Sequence, residues 1–335
     1  MCNSRFFTIF TFSSRLSISL FIFWSLLAIL TFGLSRTLQP PFPVVVSGET
    51  STYRLYAFPV GCESVISLCR RSERRLLDLM HSFPVAEPSP DGRLIAVHIT
   101  EEWMVYDADC LLNKTGCQPI LVEEGFNDVR VTWSPDSARL AYTLPGQTGT
   151  ELRIRPESCW QPRSTSDCQT TIINLGSQYL LSHPNWSTHG KRMIFMDYAS
   201  GGGFWMQTDC FEMDAGCGNA LQPMPNIPWR VAWPSISSDG EAAVFMSDVS
   251  GTGGGNYQLF HYDIPHQSAR QITNRRYLSQ YPDWSADERY VVFSGFEPRA
   301  PGDLSLYILD FQRGIIAPLA WHRGRDLAFA VWQPS

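Results

Sequence analysis

Hydrophobic and polar positions follow two regimes along this chain of 335 residues. The first is an uncharged run from Leu16 to Leu34, Leu-Ser-Ile-Ser-Leu-Phe-Ile-Phe-Trp-Ser-Leu-Leu-Ala-Ile-Leu-Thr-Phe-Gly-Leu, which predicts one helix long enough to cross a hydrocarbon core. The second occupies residues 51–335, where short apolar or alternating stretches are separated by turn residues. Stretches such as Leu94-Ile-Ala-Val and Tyr290-Val-Val-Phe read as strands, with the Gly, Pro, Ser and Asp between them as turns.

The strands come in repeats. Five segments share one grammar: Glu-Pro-Ser89-Pro-Asp-Gly92, Trp133-Ser-Pro-Asp-Ser, Trp186-Ser-Thr-His-Gly190, Ile236-Ser-Ser-Asp-Gly240 and Trp284-Ser-Ala-Asp-Glu, each leading into an apolar strand. A degenerate sixth copy, Trp321-His-Arg-Gly-Arg-Asp-Leu-Ala-Phe-Ala, closes the chain. A variable loop, a third strand such as Trp103-Met-Val-Tyr-Asp, a hairpin and a fourth strand such as Gln118-Pro-Ile-Leu-Val complete each unit. Four short strands in a repeat of about 50 residues describe a propeller blade.

These motifs resemble the WD-type repeats of the TolB-like propeller family, whose consensus runs Trp-Ser-Pro-Asp-Gly and later Tyr-x-x-Asp-Ala-Asp-Gly. Here cysteine replaces the glycine after Asp109 and Asp209, His189 stands at a turn aspartate, and the first copy lacks its tryptophan. The resemblance covers residues 51–335 and implies a fold; it does not carry over the role of TolB in the Tol–Pal system, because no N-terminal α/β domain accompanies the repeats.

Counting strands predicts closure. The chain opens with a third and a fourth strand, Tyr53 to Phe58 and Arg75 to Leu79, and ends with the first two strands of the sixth copy. Two plus two make one blade. The expectation is an all-β, six-bladed propeller of four-stranded blades, the last closed by both chain ends. Its parts are a cytoplasmic N-terminus at 1–15, a transmembrane signal-anchor helix at 16–34, an extended Pro-rich linker at 35–50 and the propeller at 51–335.

Arg5 and Arg15 precede the helix, and no acidic residue occurs before Glu49, so the N-terminus is expected inside and the propeller outside, periplasmic or extracellular. A cleaved signal peptide is the rival, but the run is long for one and no Ala-x-Ala-like site follows. Without Arg5, Arg15 and Arg36 the outer part carries a net charge of −9 and no basic run, which argues against nucleic acid.

Cysteines repeat with the blades. Cys62/Cys69, Cys110/Cys117, Cys159/Cys168 and Cys210/Cys217 flank the hairpins between third and fourth strands, and their first members lie 48, 49 and 51 residues apart. Partners across a hairpin are within disulfide reach. Zinc needs four ligands close together, whereas these pairs sit on separate blades. Four disulfides in series are expected, in an oxidising compartment.

No catalytic signature was found. The runs Ser200-Gly-Gly-Gly203 and Gly251-Thr-Gly-Gly-Gly255 lack the Lys-Ser or Lys-Thr of a phosphate loop, no Gly-x-Ser-x-Gly elbow occurs, and the seven histidines show no metal-ligand spacing. No cofactor or metal is expected. Asn113-Lys-Thr115 and Asn185-Trp-Ser187 are sequons that matter only in a glycosylating host. The variable loops between second and third strands are the candidate partner-binding face, with Gly201, Gly202, Gly253 and Gly254 making them adaptable and Phe204, Trp205 and Tyr257 as aromatic anchors. The function this suggests is a membrane-anchored scaffold that binds an extracytoplasmic protein or envelope glycan without catalysis. The alternative is a propeller lyase or hydrolase with its site at the central channel.

Overall fold

A computed structural model describes residues 44–49, 54–59, 74–78, 85–99, 102–113, 116–123, 130–147, 149–160, 168–189, 191–212, 217, 221–227, 230–250, 255–274, 278–296, 303–320 and 326–333. The expected helix at 16–34 lies outside the described residues, as do Cys62 and Cys69. Among the described residues no helix is long and apolar enough to cross a membrane.

The described part is an all-β propeller built from antiparallel four-stranded sheets, six of them. The sheet joining the chain ends has the order β24 (Leu327–Gln333), β1 (Val44–Glu49), β2 (Arg54–Pro59) and β3 (Arg74–Asp78). The next holds β4 (Ala86–Pro88), β5 (Leu94–Ile99), β6 (Glu102–Asp107) and β7 (Ile120–Glu123). It is followed by β8 (Thr132–Trp133), β9 (Arg139–Gly146), β10 (Gly149–Pro156) and β11 (Thr171–Asn174), then β12 (Leu181–Trp186), β13 (Arg192–Asp197), β14 (Gly203–Gln207) and β15 (Leu221–Pro223). The last two sheets are β16 (Ala232–Ile236), β17 (Ala242–Asp248), β18 (Tyr257–Asp263) and β19 (Ser268–Gln271), and β20 (Leu278–Trp284), β21 (Tyr290–Phe296), β22 (Ser305–Asp310) and β23 (Ile315–Ala320).

The closing sheet corrects the strand count. The N-terminal side supplies three strands and the C-terminal side one, because Val44–Glu49 pairs with both Arg54–Pro59 and Leu327–Gln333. The segment expected as an extended linker at 35–50 therefore contains a strand. Val-Val-Val is a strong strand former, and an inner strand at 327–333 leaves a vacant edge for it to fill. The sixth repeat is also shifted. Trp332, not Trp321, stands near the end of its inner strand, one residue before Gln333.

Second strands explain why the hydrophobic pattern is continuous rather than alternating. In β17, Ala243, Val244, Phe245 and Met246 are all buried, because both faces of a blade are covered by neighbours. Phe245 packs with Ile194 and Met196 of the preceding blade, while Val244 and Met246 pack with Val291 and Phe293 of the following one. Successive residues of one strand thus serve two different cores.

The turn after five of the six inner strands is built by a serine. The Ser237 amide donates to the Ala242 carbonyl (2.7 Å), the Ala242 amide donates back to Ser237 Oγ (2.9 Å), and Ser237 Oγ donates to Asp239 Oδ1 (2.6 Å). Ser89 with Asp91 and Ser285 with Asp287 repeat this arrangement. The left-handed position is held by Gly92 (φ 71°) and Gly240 (φ 78°), but in two copies by Ser137 (φ 60°) and Glu288 (φ 58°). These two also reach the preceding turn: the Asp91 amide donates to Ser137 Oγ (3.1 Å) and the Asp239 amide to Glu288 Oε1 (2.8 Å). A cross-blade bond explains why a non-glycine residue is tolerated there.

The cysteine segments lie at the same end of the strands as these turns, since the Ala108 amide donates to the Arg93 carbonyl (2.8 Å) and the Thr208 amide to that of Lys191 (3.1 Å). They are short helical turns rather than plain hairpins: α1 (Ala108–Asn113) and the 3-10 turns Glu157–Cys159 and Asp209–Glu212. Disulfides join Cys110–Cys117, Cys159–Cys168 and Cys210–Cys217, with Cα separations of 5.9, 4.6 and 5.3 Å. Such bonds mark an oxidising, extracytoplasmic compartment.

The turn chemistry makes a stability prediction. Ser237→Ala removes the acceptor of the half-buried Ala242 amide and the donor to Asp239, and should cost about 1–2 kcal/mol by urea unfolding with an unchanged m-value. A cost under 0.3 kcal/mol, on the order of a surface substitution, would contradict the role given to this hydroxyl.

Candidate functional site

The inner strands β4, β8, β12, β16, β20 and β24 lie side by side, each next to the one before and β24 next to β4. Three residues before the end of five inner strands stand Val85, Arg130, His183, Trp233 and Tyr281, and three residues before Trp332 of β24 stands Phe329. Four of these have left-handed backbone: His183 (φ 53°), Trp233 (φ 48°), Tyr281 (φ 54°) and Phe329 (φ 56°). Strand pairing slips at the same place, between Ser182 and Asn185, Ala232 and Ser235, and Gln280 and Asp283. A bulge of this kind re-aims one side chain without ending the strand. Here it turns one residue from each blade toward the axis.

The result is an aromatic plug. Trp233 lies 4.4 Å from His183, 5.0 Å from Tyr281 and 5.0 Å from Phe329, centroid to centroid, and Tyr281 lies 4.4 Å from Phe329. The edge-on geometry of the His183–Trp233 and Trp233–Tyr281 pairs is the favoured one for aromatic rings.

Arg130 brings a charge to the axis, and it ties four blades together. Its Nη1 donates to the Pro234 carbonyl (3.0 Å), its Nε lies 3.7 Å from Glu87 Oε2 and its Nη2 lies 3.6 Å from Asp283 Oδ1, with the arginine side chain 4% exposed. Burial pushes the Glu87 carboxyl up to about 8, opposed by Arg130 and reinforced by Asp283. Burial raises Asp283 too, but there Arg130 and donors from Trp332, Ser235 and Trp284 oppose it. Asp283 Oδ1 accepts from Ser235 Oγ (2.9 Å) and Oδ2 from the Trp332 amide (3.1 Å), whereas Glu87 Oε2 has no hydrogen-bond donor. Asp283 thus has donors that favour its charged form, whereas burial without such a donor on Oε2 holds Glu87 toward its protonated form. His183 is neutral in the fold, its pKa lowered to about 3 by burial and by Arg130. Glu87, Arg130 and Asp283 and the rings of Trp233, Tyr281 and Phe329 line a pocket with about 260 Å³ of empty volume, solvent at its mouth included. Among the described residues no group of three His, Cys, Asp or Glu side chains is placed to hold a metal ion.

The loop face differs from its sequence-based expectation. Gly201 (φ 73°) is buried, with the Arg230 side chain 2.7 Å from where its Cβ would stand, and Gly202 is half-buried. Asp197 fastens this loop: Oδ1 accepts from the amides of Leu180 (2.8 Å) and Ala199 (3.2 Å), Oδ2 from the amide (3.0 Å) and hydroxyl (2.6 Å) of Ser200. Its glycines therefore shape a fixed turn. Phe204 is buried against Tyr179 (4.7 Å), Trp205 lies under the Arg192 guanidinium (5.1 Å), and Tyr257 is half-buried at the start of β18. Gly253 and Gly254 lie outside the described residues. What this face does expose is Leu180 (56%) and Tyr198 (52%), joined by a bond from the Tyr198 amide to the Leu180 carbonyl (3.0 Å). Nothing in their local sequence separates them from buried aromatics and leucines. The axial residues did carry a signal, the recurring His183-Pro, Trp233-Pro and Tyr281-Pro three residues ahead of the turn.

No family model and no curated protein matches the chain. Solved structures do. A protein of Agrobacterium tumefaciens described as a TolB superimposes with a TM-score of 0.56 at 18% identity, covering 85% of this chain and 91% of that one. The fold is a β-propeller of four-stranded blades, similar to that structure. A chain of the nidogen/laminin complex gives a TM-score of 0.62 at 8% identity, over 88% of this chain and 99% of that one. At these identities the likeness concerns the fold alone.

Buried Glu87 and His183 set a pH dependence with opposite signs. A proton that Glu87 keeps in the fold up to about 8, but loses near 4.5 when unfolded, makes stability fall as pH rises between those values. His183 and His261, held neutral by burial down to about 3 and about 4 against 6.5 unfolded, make stability fall as pH drops below 6.5. The midpoint of thermal unfolding should therefore peak near pH 6.5 and decline toward pH 8, at most by about 1.4 kcal/mol per pH unit. Glu87→Gln should flatten the upper limb and steepen the lower one between about pH 4.5 and 6.5, where the Glu87 slope opposes that of the histidines. An unaltered upper limb in that variant would assign the slope to other groups.

Proposed function

We propose that this chain is a non-catalytic binding scaffold whose propeller closes as a ring of six blades, held outside the cytoplasm by the apolar segment at 16–34. The partner, an extracytoplasmic protein or an envelope glycan, docks on the face made by the loops between second and third strands. The observation that carries this reading is the contrast between the two ends of the strands. One end repeats a serine-built turn and a disulfide-linked helical turn from blade to blade, which suits a frame. The other carries loops that differ in every copy and presents Leu180 and Tyr198 to solvent. Large apolar side chains held on a rigid turn are what binding surfaces use.

Two experiments test this. Replacing Gly251 to Gly255 with a two-residue turn, or Tyr198 with Ser, should leave thermal stability within about 1 kcal/mol of the parent and weaken partner capture from native membranes at least tenfold. Loss of capture on shortening the Cys210–Cys217 segment, with the loop variants intact, would place the partner on the opposite face. Fusion of a reporter active only outside the cytoplasm to the C-terminus should give signal, and the purified protein should begin before Arg5. Recovery of a chain starting near residue 36 would remove the anchor from the reading.

A further inference from the structure

The chain enters the propeller at one end of the strands. Val44, the first residue of β1, pairs with Gln333 at the end of β24, and Glu49 pairs with Leu327 at its start. As β24 is an inner strand, its end lies with the serine turns and disulfide segments, and Val44 lies there too. The inference drawn from this rests on the anchor proposed above. Nine residues, 35–43, separate the apolar run at 16–34 from β1. Fully extended, such a length reaches about 30 Å. To bring the loop end of the propeller to the bilayer, the same residues would run about 20 Å back along the six-residue β1 and about 10 Å more past β2 and β3, before side chains are counted. That exhausts the tether. Bringing the turn end to the bilayer uses almost none of it.

A second observation falls at the same end. Of the four large apolar side chains exposed among the described residues, Ile172 lies within outer strand β11, Leu180 and Tyr198 lie at the loop end, and Ile315 (58%) lies at the turn end. Ile315 opens β23, in the hairpin between the third and fourth strands of its blade. That blade packs directly on the closing blade through which the chain enters: Leu306, Ile308 and Leu319 share a core with Tyr56 and Trp332. Two residues before Ile315 stands Arg313, its side chain 68% exposed. Its Nε lies 3.9 Å from Asp310 Oδ2, a carboxylate that already accepts from the Arg313 amide (3.0 Å) and faces Arg289 at 3.5 Å. A pair that long and that exposed holds the guanidinium weakly. An apolar side chain beside a loosely held arginine suits the headgroup boundary of a bilayer, where one enters the acyl edge and the other meets phosphate. We propose that the turn end of the propeller rests on the outer surface of its own membrane through Ile315 and Arg313, with the loop end turned away and open to the partner. Two side chains bind a bilayer weakly, but a short tether holds them at an effective concentration of about a millimolar, so a weak contact is sustained.

The test uses the full chain with Cys2→Ser, reconstituted in vesicles of phosphatidylcholine and phosphatidylglycerol. A fluorophore is placed on Gln312→Cys, exposed in the same hairpin, or on Ala199→Cys, exposed at the loop end. Lipids with a nitroxide on the headgroup should quench the label at 312 by more than half and leave the label at 199 bright. Replacing Ile315 and Arg313 together by Ser should restore most of the emission at 312 while the protein still resists extraction by alkaline carbonate. Equal quenching at the two positions, or stronger quenching at 199, in carbonate-resistant protein overturns the orientation and leaves the anchor standing. Undiminished quenching at 312 in the double variant removes Ile315 and Arg313 from the contact and overturns the proposal as stated. Release of the parent chain by carbonate overturns the anchor, and the orientation with it.

Discussion

The inner edge of a four-stranded sheet has backbone donors that its own sheet cannot use, and here a side chain from the preceding blade takes them. The Trp186 amide donates to Thr132 Oγ1 (2.9 Å), the Ile236 amide to Asn185 Oδ1 (2.7 Å), the Trp284 amide to Ser235 Oγ (3.2 Å) and the Trp332 amide to Asp283 Oδ2 (3.1 Å). In every case the acceptor stands one residue before the end of an inner strand, and the donor stands at the end of the next or, for Trp332, one residue short of it. The bonds are worth about 1 kcal/mol each, but their effect is to set the height of each blade against its neighbour. Only then do the apolar faces of the second and third strands meet in register.

That constraint explains the axial bulges. The acceptor must look sideways to the next blade while the residue two places earlier looks inward, which a regular strand with its two-residue period cannot arrange. A left-handed residue before a proline breaks the period once and lets both demands be met. Proline costs little there because an inner strand needs no donor on its axial side. Where the inward residue is aromatic the axis closes by ring contacts. Where it is Arg130, a charge enters the interior and Glu87 and Asp283 follow it.

Much of the frame was legible in the chain. The spacing of Ser89, Ser134, Ser187, Ser237 and Ser285 marks the turns, and the cysteine pairs mark one end of three blades. The closing blade was misread because its repeat has lost the turn motif: Trp332 is followed by Gln333, and the strand that would come next is supplied by Val44–Glu49 from the other end of the chain. Chain pattern cannot reveal such a pairing, since a strand of valines looks alike wherever it joins. The axial cluster escaped for a related reason. Glu87, Arg130 and Asp283 are separated by 43 and 153 residues and are brought together by the ring alone. The loop glycines were read as freedom, yet Asp197 with its four donors turns one of those loops into a rigid corner.

Asn185 is the acceptor for the Ile236 amide, is 7% exposed, and is also the first residue of the sequon Asn185-Trp-Ser187. In a secretory pathway that attaches sugars to such sequons, the modification acts on the unfolded chain, before the ring has closed. A glycan on this amide would stand between two blades, where the next inner strand has to lie. The same three residues that align the propeller would then become a trap that keeps it open, and the fraction of chains escaping it would depend on how quickly the fourth blade reaches the third. Production of this protein in such a host is for that reason a race between an enzyme and a fold, which Ser187→Ala or a non-glycosylating host removes.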